Sequence, residues 1–505
     1  MTEGHNSGIT HKLYLGCFAA IVLLAVILRI YKAYYTGVIY DEALTYFRFS
    51  MDFNSAISNY SSTNNHLLNS VLIYLSVKVF GQSFLGVPAI RLPAVFFGIV
   101  YVVSIALVIE TALRGRVLKI LVLGACLFNY LIFDLTILAR GYAIALGAVY
   151  LELLVIVLYP KLLKDKADSM VILFSALNFI ALGAMLTSLY TIVPLNLAFL
   201  AVMFHRLKTV QLTVSDRPYD ALKKTVQAGV VILCLTCVAL ALLYHKVFTK
   251  IISVSGKHSE VNNALITILK SLITEGLFTN WEFPLSSILN ILQTIILPLM
   301  VALTVLFLLN VILSKKTLPA AALIVLSVLA ASFLFAYAAR TAAGVSLGFT
   351  RNHVFWLPLI FISAGIVMDG ARISPLAPLK TSIYVVTCLV SVVLIAGPLM
   401  SLHVVTTHDW KPQSVVGPLL RQLSKTDPLR RWRLGFSDKL EYNLYPYLFY
   451  NNEAYRINDS NAAVYHISEK DLHTGILYQY DLFKKFDCVV VLDSSMRQPL
   501  PGQTH

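Results

Sequence analysis

The feature that most limits what this chain can fold into is a series of long apolar runs separated by short polar segments. A helix needs roughly 20 apolar residues to cross a bilayer. Eleven runs are plausible spans on that measure, near 13–31, 89–109, 117–135, 141–159, 171–188, 190–205, 226–246, 285–312, 317–338, 353–369 and 381–402. Of the 505 residues, 58% are hydrophobic and 13% are charged, against about 45–50% and about 25% in soluble domains. The sequence therefore predicts an all-α polytopic membrane domain over residues 1–403, with about 11 transmembrane helices.

One further segment, Leu67–Phe80, is apolar but only about three and a half turns long. It ends at Gly81 and carries Asn69 and Lys78. It is short for a span and suits a helix lying in the interface. Lys and Arg in short loops set the orientation. Arg114, Arg116 and Lys119 follow the second run, and Lys161, Lys164 and Lys166 follow the fourth. Arg206, Lys208, Arg217, Lys223 and Lys224 follow the sixth, Lys315 and Lys316 the eighth, Arg372 and Lys380 the tenth. Every second loop is basic, which places these loops and the N-terminus in the cytoplasm and the C-terminal region outside. Counting 67–80 as a span would break the alternation. The flanks of the first run disagree: Lys12 stands alone inside, while Arg29 and Lys32 lie outside.

The net charge of +14 is accounted for largely by those loops, and no basic-aromatic motif for nucleic acid is present. No small-x-small cleavage site follows the first run, so it reads as an uncleaved helix rather than a signal peptide. Cys17, Cys126, Cys234, Cys237 and Cys388 fall inside apolar runs, and Cys488 lies in the tail. The Cys234-x-x-Cys237 pair sits mid-helix among Leu and Val, which points to packing.

After residue 403 charged residues become frequent and long apolar runs stop. Residues 404–505 read as a small exported α/β domain. Lys411–Lys425 fits a helix with Pro412 in its first turn, and Trp432–Phe436, Ala462–Ile467 and Phe486–Leu492 fit strands.

Candidate chemistry collects at the outer ends of the runs. Tyr40-Asp41-Glu42-Ala43 lies just after the first run, and Asn64-Asn65-His66 follows in the same long loop, about 32–88. Acids close to lipid are expensive and tend to be functional. A tight turn near 134–141 holds Asp134, Arg140 and Gly141; a loop near 339–352 holds Arg340 and Arg351. A loop near 247–284 brings Lys250 and Lys257, beside Lys246.

The order of these pieces is informative. Asp41-Glu42-Ala43 follows the first run, and Asn64-Asn65-His66-Leu67-Leu68-Asn69 opens the interfacial helix. Arg91-Leu92-Pro93 starts the second run, Ala139-Arg140-Gly141-Tyr142 lies in the second outer loop, and Arg351 precedes Leu357-Pro358. Together they resemble the GT-C superfamily of membrane glycosyltransferases, in particular the protein O-mannosyltransferase and lipid A aminoarabinose transferase branch. The resemblance covers about 1–160 well and 340–370 more loosely. Where many relatives carry His-Pro-Pro or Lys-Pro-Pro, this chain has Asn65-His66-Leu67. Where many carry an acid just before the Ala-Arg pair, it has Leu138, and Asp134, one turn earlier, stands in.

The resemblance implies a GT-C fold in a bacterial inner (plasma) membrane and a polyprenyl-phosphate sugar as donor. The acceptor would be a glycan, lipid or protein. The resemblance fixes no cofactor, and a divalent metal is compatible with it; no nucleic acid is expected as a partner. The expected reaction is inverting transfer with Asp41 as general base and Glu42 beside it. Arg351 and Arg140 would hold the donor phosphate, because guanidinium meets phosphate with a planar fork. Asn65, His66, Asp134 and Tyr142 would contact substrate. Each residue also has a plainer reading: Asp41 and Glu42 as helix caps, His66 bonded to backbone, Arg140 paired with Asp134. The main rival is a secondary transporter or flippase, which would want ionisable groups at mid-membrane; the runs read as nearly free of them. A non-enzymatic assembly or anchoring protein would not need two acids and two arginines on one face.

Overall fold

A chain that must bury its backbone polar groups in lipid does so with helices, and the described part of this protein is mostly helical. The computed structural model describes residues 3–58, 66–81, 83–162, 167–211, 220, 223–236, 238, 318–343, 350–371, 434–437, 464–467 and 488–490. Among these, five helices are long and apolar enough to cross a membrane: His11–Tyr35, Ala89–Ala112, Gly141–Leu158, Leu186–Lys208 and Ala320–Ala339.

Helix α1 (Glu3–Tyr35) is followed by the short α2 (Tyr40–Thr45), one π-helical turn (Tyr46–Ser50) and α3 (Phe53–Ser58). Helix α4 (Leu67–Phe80) has the bounds read from the sequence. A hairpin of β1 (Ser83–Phe84) and β2 (Val87–Pro88) then turns the chain toward α5 (Leu92–Ala112). Its turn residues, Leu85 and Gly86, both have positive φ, 50° and 81°, the geometry that suits a two-residue hairpin. Next come α6 (Arg116–Phe128), α7 (Tyr130–Leu135), α8 (Gly141–Leu162), α9 (Ala167–Ala184) and α10 (Leu189–Gln211). Helices α11 (Ala320–Ala343) and α12 (Trp356–Ala371) close the described bundle.

The core lies between α5, α6, α8, α9, α10, α11 and α12. Helices α5 and α8 pack most extensively, with α9 against α8, α11 against α10 and α12 against α6. Gly147 sets the α5–α8 spacing: a Cβ there would lie 2.6 Å from the Phe97 carbonyl oxygen. Small residues at helix contacts let backbones approach in this way. Outward faces carry exposed Leu23, Leu107, Leu197 and Leu334, as expected of helices solvated by lipid.

The run at 117–135 was expected as one span and is two helices. Asn129 breaks it: its Oδ1 accepts the N–H groups of Leu131 (3.1 Å) and Ile132 (3.2 Å). An Asn that satisfies the first free amides of a helix starts a new one. Of the other runs, 226–246 is represented by helical residues 223–236, while 285–312 and 381–402 lie outside the described residues. In the tail, β3 (Leu434–Ser437), β4 (Val464–Ile467) and β5 (Cys488–Val490) form a parallel sheet of order β4-β3-β5. All three fall where strands were expected. The helix expected over 411–425 lies outside the described residues.

Candidate active site

Ile39 immediately precedes helix α2, and its extended backbone (φ −89°, ψ 165°) lets the chain leave α1 and turn. Asp41 and Glu42 fall in its first turn, where carboxylates are favoured by exposed amides. The two adjacent acids then part company. Glu42 is fully buried. Its Oε2 accepts the Ile39 N–H (3.0 Å) and its Oε1 the Ala139 N–H (2.7 Å). Arg91 meets it with a two-pronged bond, Nε to Oε1 at 2.8 Å and Nη2 to Oε2. These bonds fill the roughly four lone-pair sites of the carboxylate. Arg91, also fully buried, donates its remaining N–H groups to the carbonyls of Ala33 (3.1 Å), Thr36 (2.6 Å) and Gly37 (2.8 Å). The pair staples the end of α1, the start of α2, the entry to α5 and the turn before α8.

That turn is held from other directions. Asn69 of α4 donates to the Ala139 carbonyl (3.1 Å). Lys32 forms a buried ion pair with Asp134. Arg29 donates to Thr136 Oγ1 (2.9 Å) and to the carbonyls of Leu127 and Ala25 (3.0 and 3.1 Å). Arg29 and Lys32 both sit over the Phe133 ring, 4.8 and 5.1 Å from its centroid.

The product of this scaffold is the placement of Arg140. Its Nη1 lies 2.8 Å from Asp41 Oδ2. Yet Arg140 Nη1 and Nε have no hydrogen-bond partner among the described residues. The Asp41 contact is close enough for an ion pair but off the line of an N–H bond. The guanidinium stands 6.0 Å from the Tyr142 ring centroid, and the His66 ring stands 5.9 Å from the same ring. Gly141 makes the junction fit: a Cβ there would lie 1.9 Å from the Ala184 carbonyl oxygen and 3.1 Å from His66 Cβ. Only glycine admits that approach.

His66 precedes α4 with an extended backbone and does not cap it. Burial, together with the nearby charges of Arg140 and Arg351, lowers its pKa to about 3, against a smaller opposing effect from a backbone hydrogen bond to Ala184. The charge of Arg351 thus acts on the same ring from the turn before α12, although this side chain is only half-buried.

Asp41, Arg140, His66, Tyr142 and Arg351 are therefore brought together from four separate parts of the chain. Glu42 is adjacent, but its oxygens are occupied. Asp134 pairs with Lys32 and not, as one reading had it, with Arg140. Asn65 and the Lys246, Lys250 and Lys257 loop lie outside the described residues. Sequence reading missed the Arg91–Glu42 staple; the Arg91-Leu92-Pro93 motif was its only signal. It also missed Glu152, fully buried within α8, whose two carboxylate oxygens have no hydrogen-bond partner among the described residues. With Arg29 and Lys32, Glu152 corrects the expectation that the spans are nearly free of buried charge. No three His, Cys, Asp or Glu side chains converge to hold a metal ion among the described residues.

No protein-family model matches the chain, and no curated protein matches it.

Proposed function

We propose that the protein is a membrane glycosyltransferase of GT-C type. It moves a sugar from a polyprenyl-phosphate donor to a glycan, lipid or protein acceptor at the outer face of the membrane. The observation that carries this reading is the buried Asp41–Arg140 pair, with unused Arg140 donors beside it and the Arg351 charge close by. A lipid-linked sugar phosphate needs cations at the depth of its headgroup and a carboxylate just beyond. The phosphate is already a competent leaving group. Catalysis then needs charge stabilisation on the departing oxygen and a base for the attacking hydroxyl or amine. Arg140 and Arg351 supply the first and Asp41 the second. A phosphate taking up the free Arg140 N–H groups would also draw that guanidinium away from Asp41, leaving the carboxylate oxygen open to the acceptor. Inversion at the anomeric carbon follows from single displacement.

In this reading the N-terminus is cytoplasmic, about eleven helices span, α4 lies in the interface, and residues 404–505 are exported. Reporter fusions at Lys425 and Lys223 test the sidedness: the first should report outside and the second inside. The activity test is to incubate membranes containing the protein with radiolabelled polyprenyl-phosphate sugars. Sugar transfer with release of free lipid phosphate is expected; their absence with every donor and acceptor extract tried would end the proposal.

Glu152 favours a second reading, a transporter or flippase, because an ionisable group deep in a span commonly marks a translocation path. Glu152→Gln decides between them. A transporter would lose flux, whereas a transferase built on Asp41 would keep its turnover.

A further inference from the structure

The Asp41 cluster is unevenly satisfied, and the unused atoms form a pattern. Arg140 offers donors at Nε and Nη1, and His66 offers Nε2, with no hydrogen-bond partner for any of them among the described residues. Both side chains are at least nine-tenths buried. Both stand against one ring, that of Tyr142. Buried polar atoms are nearly always paired in folded proteins. Open hydrogen-bonding positions around one aromatic ring are complementary to a ligand that is bonded in more than one way.

The tautomer of His66 settles what its ring can bond. A hydrogen bond to the Ala184 backbone that favours the protonated ring is one to a carbonyl, and Nε2 takes no part in it. So Nδ1 donates, and in a neutral imidazole the other nitrogen then accepts. The ring stays neutral at ordinary pH, because its pKa lies near 3. A neutral lone pair repels phosphate oxygens, which are also acceptors. The guanidinium charges of Arg140 and Arg351, only one of them offset by Asp41, disfavour a metal cation at the same place. What fits is a hydroxyl or N–H.

We infer that His66 Nε2 accepts a hydrogen bond from a hydroxyl or N–H of the donor sugar, near the phosphate held by Arg140, and so determines which sugars are accepted. This rests on the glycosyltransferase reading above and adds the chemistry by which the site selects its sugar. The residue positions and discriminates; it takes no proton in the reaction.

The test uses the full-length protein in lipid nanodiscs. The probes are undecaprenyl phosphate, its glucosyl, mannosyl and arabinosyl forms, and mono-deoxy analogues of whichever form binds best. In the wild type one deoxy position should weaken binding or kcat/KM by about tenfold or more, because an unmet buried acceptor is costly. In His66→Ala the parent and that analogue should become equal. His66→Gln, whose amide oxygen also accepts, should keep part of the preference and guards against misreading a folding defect. The preference should be flat from about pH 5 to 8, where an ordinary histidine would titrate. A wild type that treats every deoxy analogue like its parent overturns the inference. So does a His66→Ala protein that retains the preference, or that loses affinity for bare undecaprenyl phosphate alone. If bare undecaprenyl phosphate binds and the sugars are not distinguished, the glycosyltransferase reading stands and the role of His66 falls. If no phosphate lipid binds or reacts, both fall together.

Discussion

Glu42 and Asp41 are neighbours in sequence and opposites in structure. Around Glu42 and Arg91 every donor and acceptor of the two side chains is used. Around Asp41 and Arg140 the ions are paired, but donors remain open and His66 leaves an acceptor beside them. Low dielectric makes both clusters high-stakes. A saturated cluster has nothing left to offer a ligand and works as a fastener. An unsaturated one, held still by the first, keeps its capacity for something else. The comparison teaches that burial and charge alone do not separate a saturated ion pair from one with hydrogen-bonding capacity left beside it; the count of unused donors and acceptors does.

The comparison is most sharply tested by breaking the fastener. Arg91→Ala leaves Glu42 buried and uncompensated, which costs about 3–5 kcal/mol. Thermal unfolding of purified protein should show it as a large loss of stability or yield. Arg91→Lys should not restore it, since lysine lacks the fork. A stable Arg91→Ala protein would mean that the two clusters do not differ as described.

Asp41→Asn should do the reverse. Fold and donor binding should be largely kept, while turnover falls at least about a hundredfold, a base contribution in the usual range. Near-normal turnover would remove Asp41 as the base. Glu42→Gln should instead act on stability first.

Arg351 comes next in size. Replacing it by Ala should weaken apparent donor affinity roughly ten- to a hundredfold, the worth of a charged hydrogen bond at about 1.5–3 kcal/mol. Lys should rescue only in part, and acceptor dependence should change little. A rise in acceptor KM with donor KM untouched would assign Arg351 to the acceptor instead.

The smallest effect concerns pH. His66 has a folded pKa near 3 against about 6.5 when unfolded. Its folded-state value is depressed, so between these values the unfolded chain binds the extra proton. This contribution to stability is intact above about pH 6.5 and is lost at about 1.4 kcal/mol per unit as pH falls below it. Unfolding midpoints of wild type and His66→Gln, compared at about pH 7 and pH 5, should converge or cross on the acid side. Parallel behaviour would show that the ring is not buried as neutral imidazole.

Much of this organisation was legible in the sequence, and for identifiable reasons. Apolar run length gave the long helices, and Gly81 marked the end of α4 at its true residue. Strand composition located β3, β4 and β5. Sequence order also gathered Asp41, His66, Arg140, Tyr142 and Arg351 as candidates. Partner choice was not legible. Glu42 meets Arg91 across 49 residues and Asp134 meets Lys32 across 102, and no local period encodes such pairings. Arg29 and Lys32 read as external charges that disagreed with the basic loops. In the structure they are buried and bonded, so they are internal fasteners and not loop charges of the kind that set orientation. Asn129 was hidden because one polar residue in an apolar run looks like a tolerated exception until its cap geometry is seen.

The grip on Ala139 has a consequence of its own. Glu42 takes its amide and Asn69 takes its carbonyl, so the residue before Arg140 is clamped by main chain alone. Every amino acid but one has that amide and carbonyl. The aim of the arginine is therefore indifferent to the identity of residue 139 so long as the side chain fits its enclosed space. Proline is the exception, because it erases the amide. Chain drift can rewrite this position without moving the guanidinium, and a single Ala139→Pro change would let it swing.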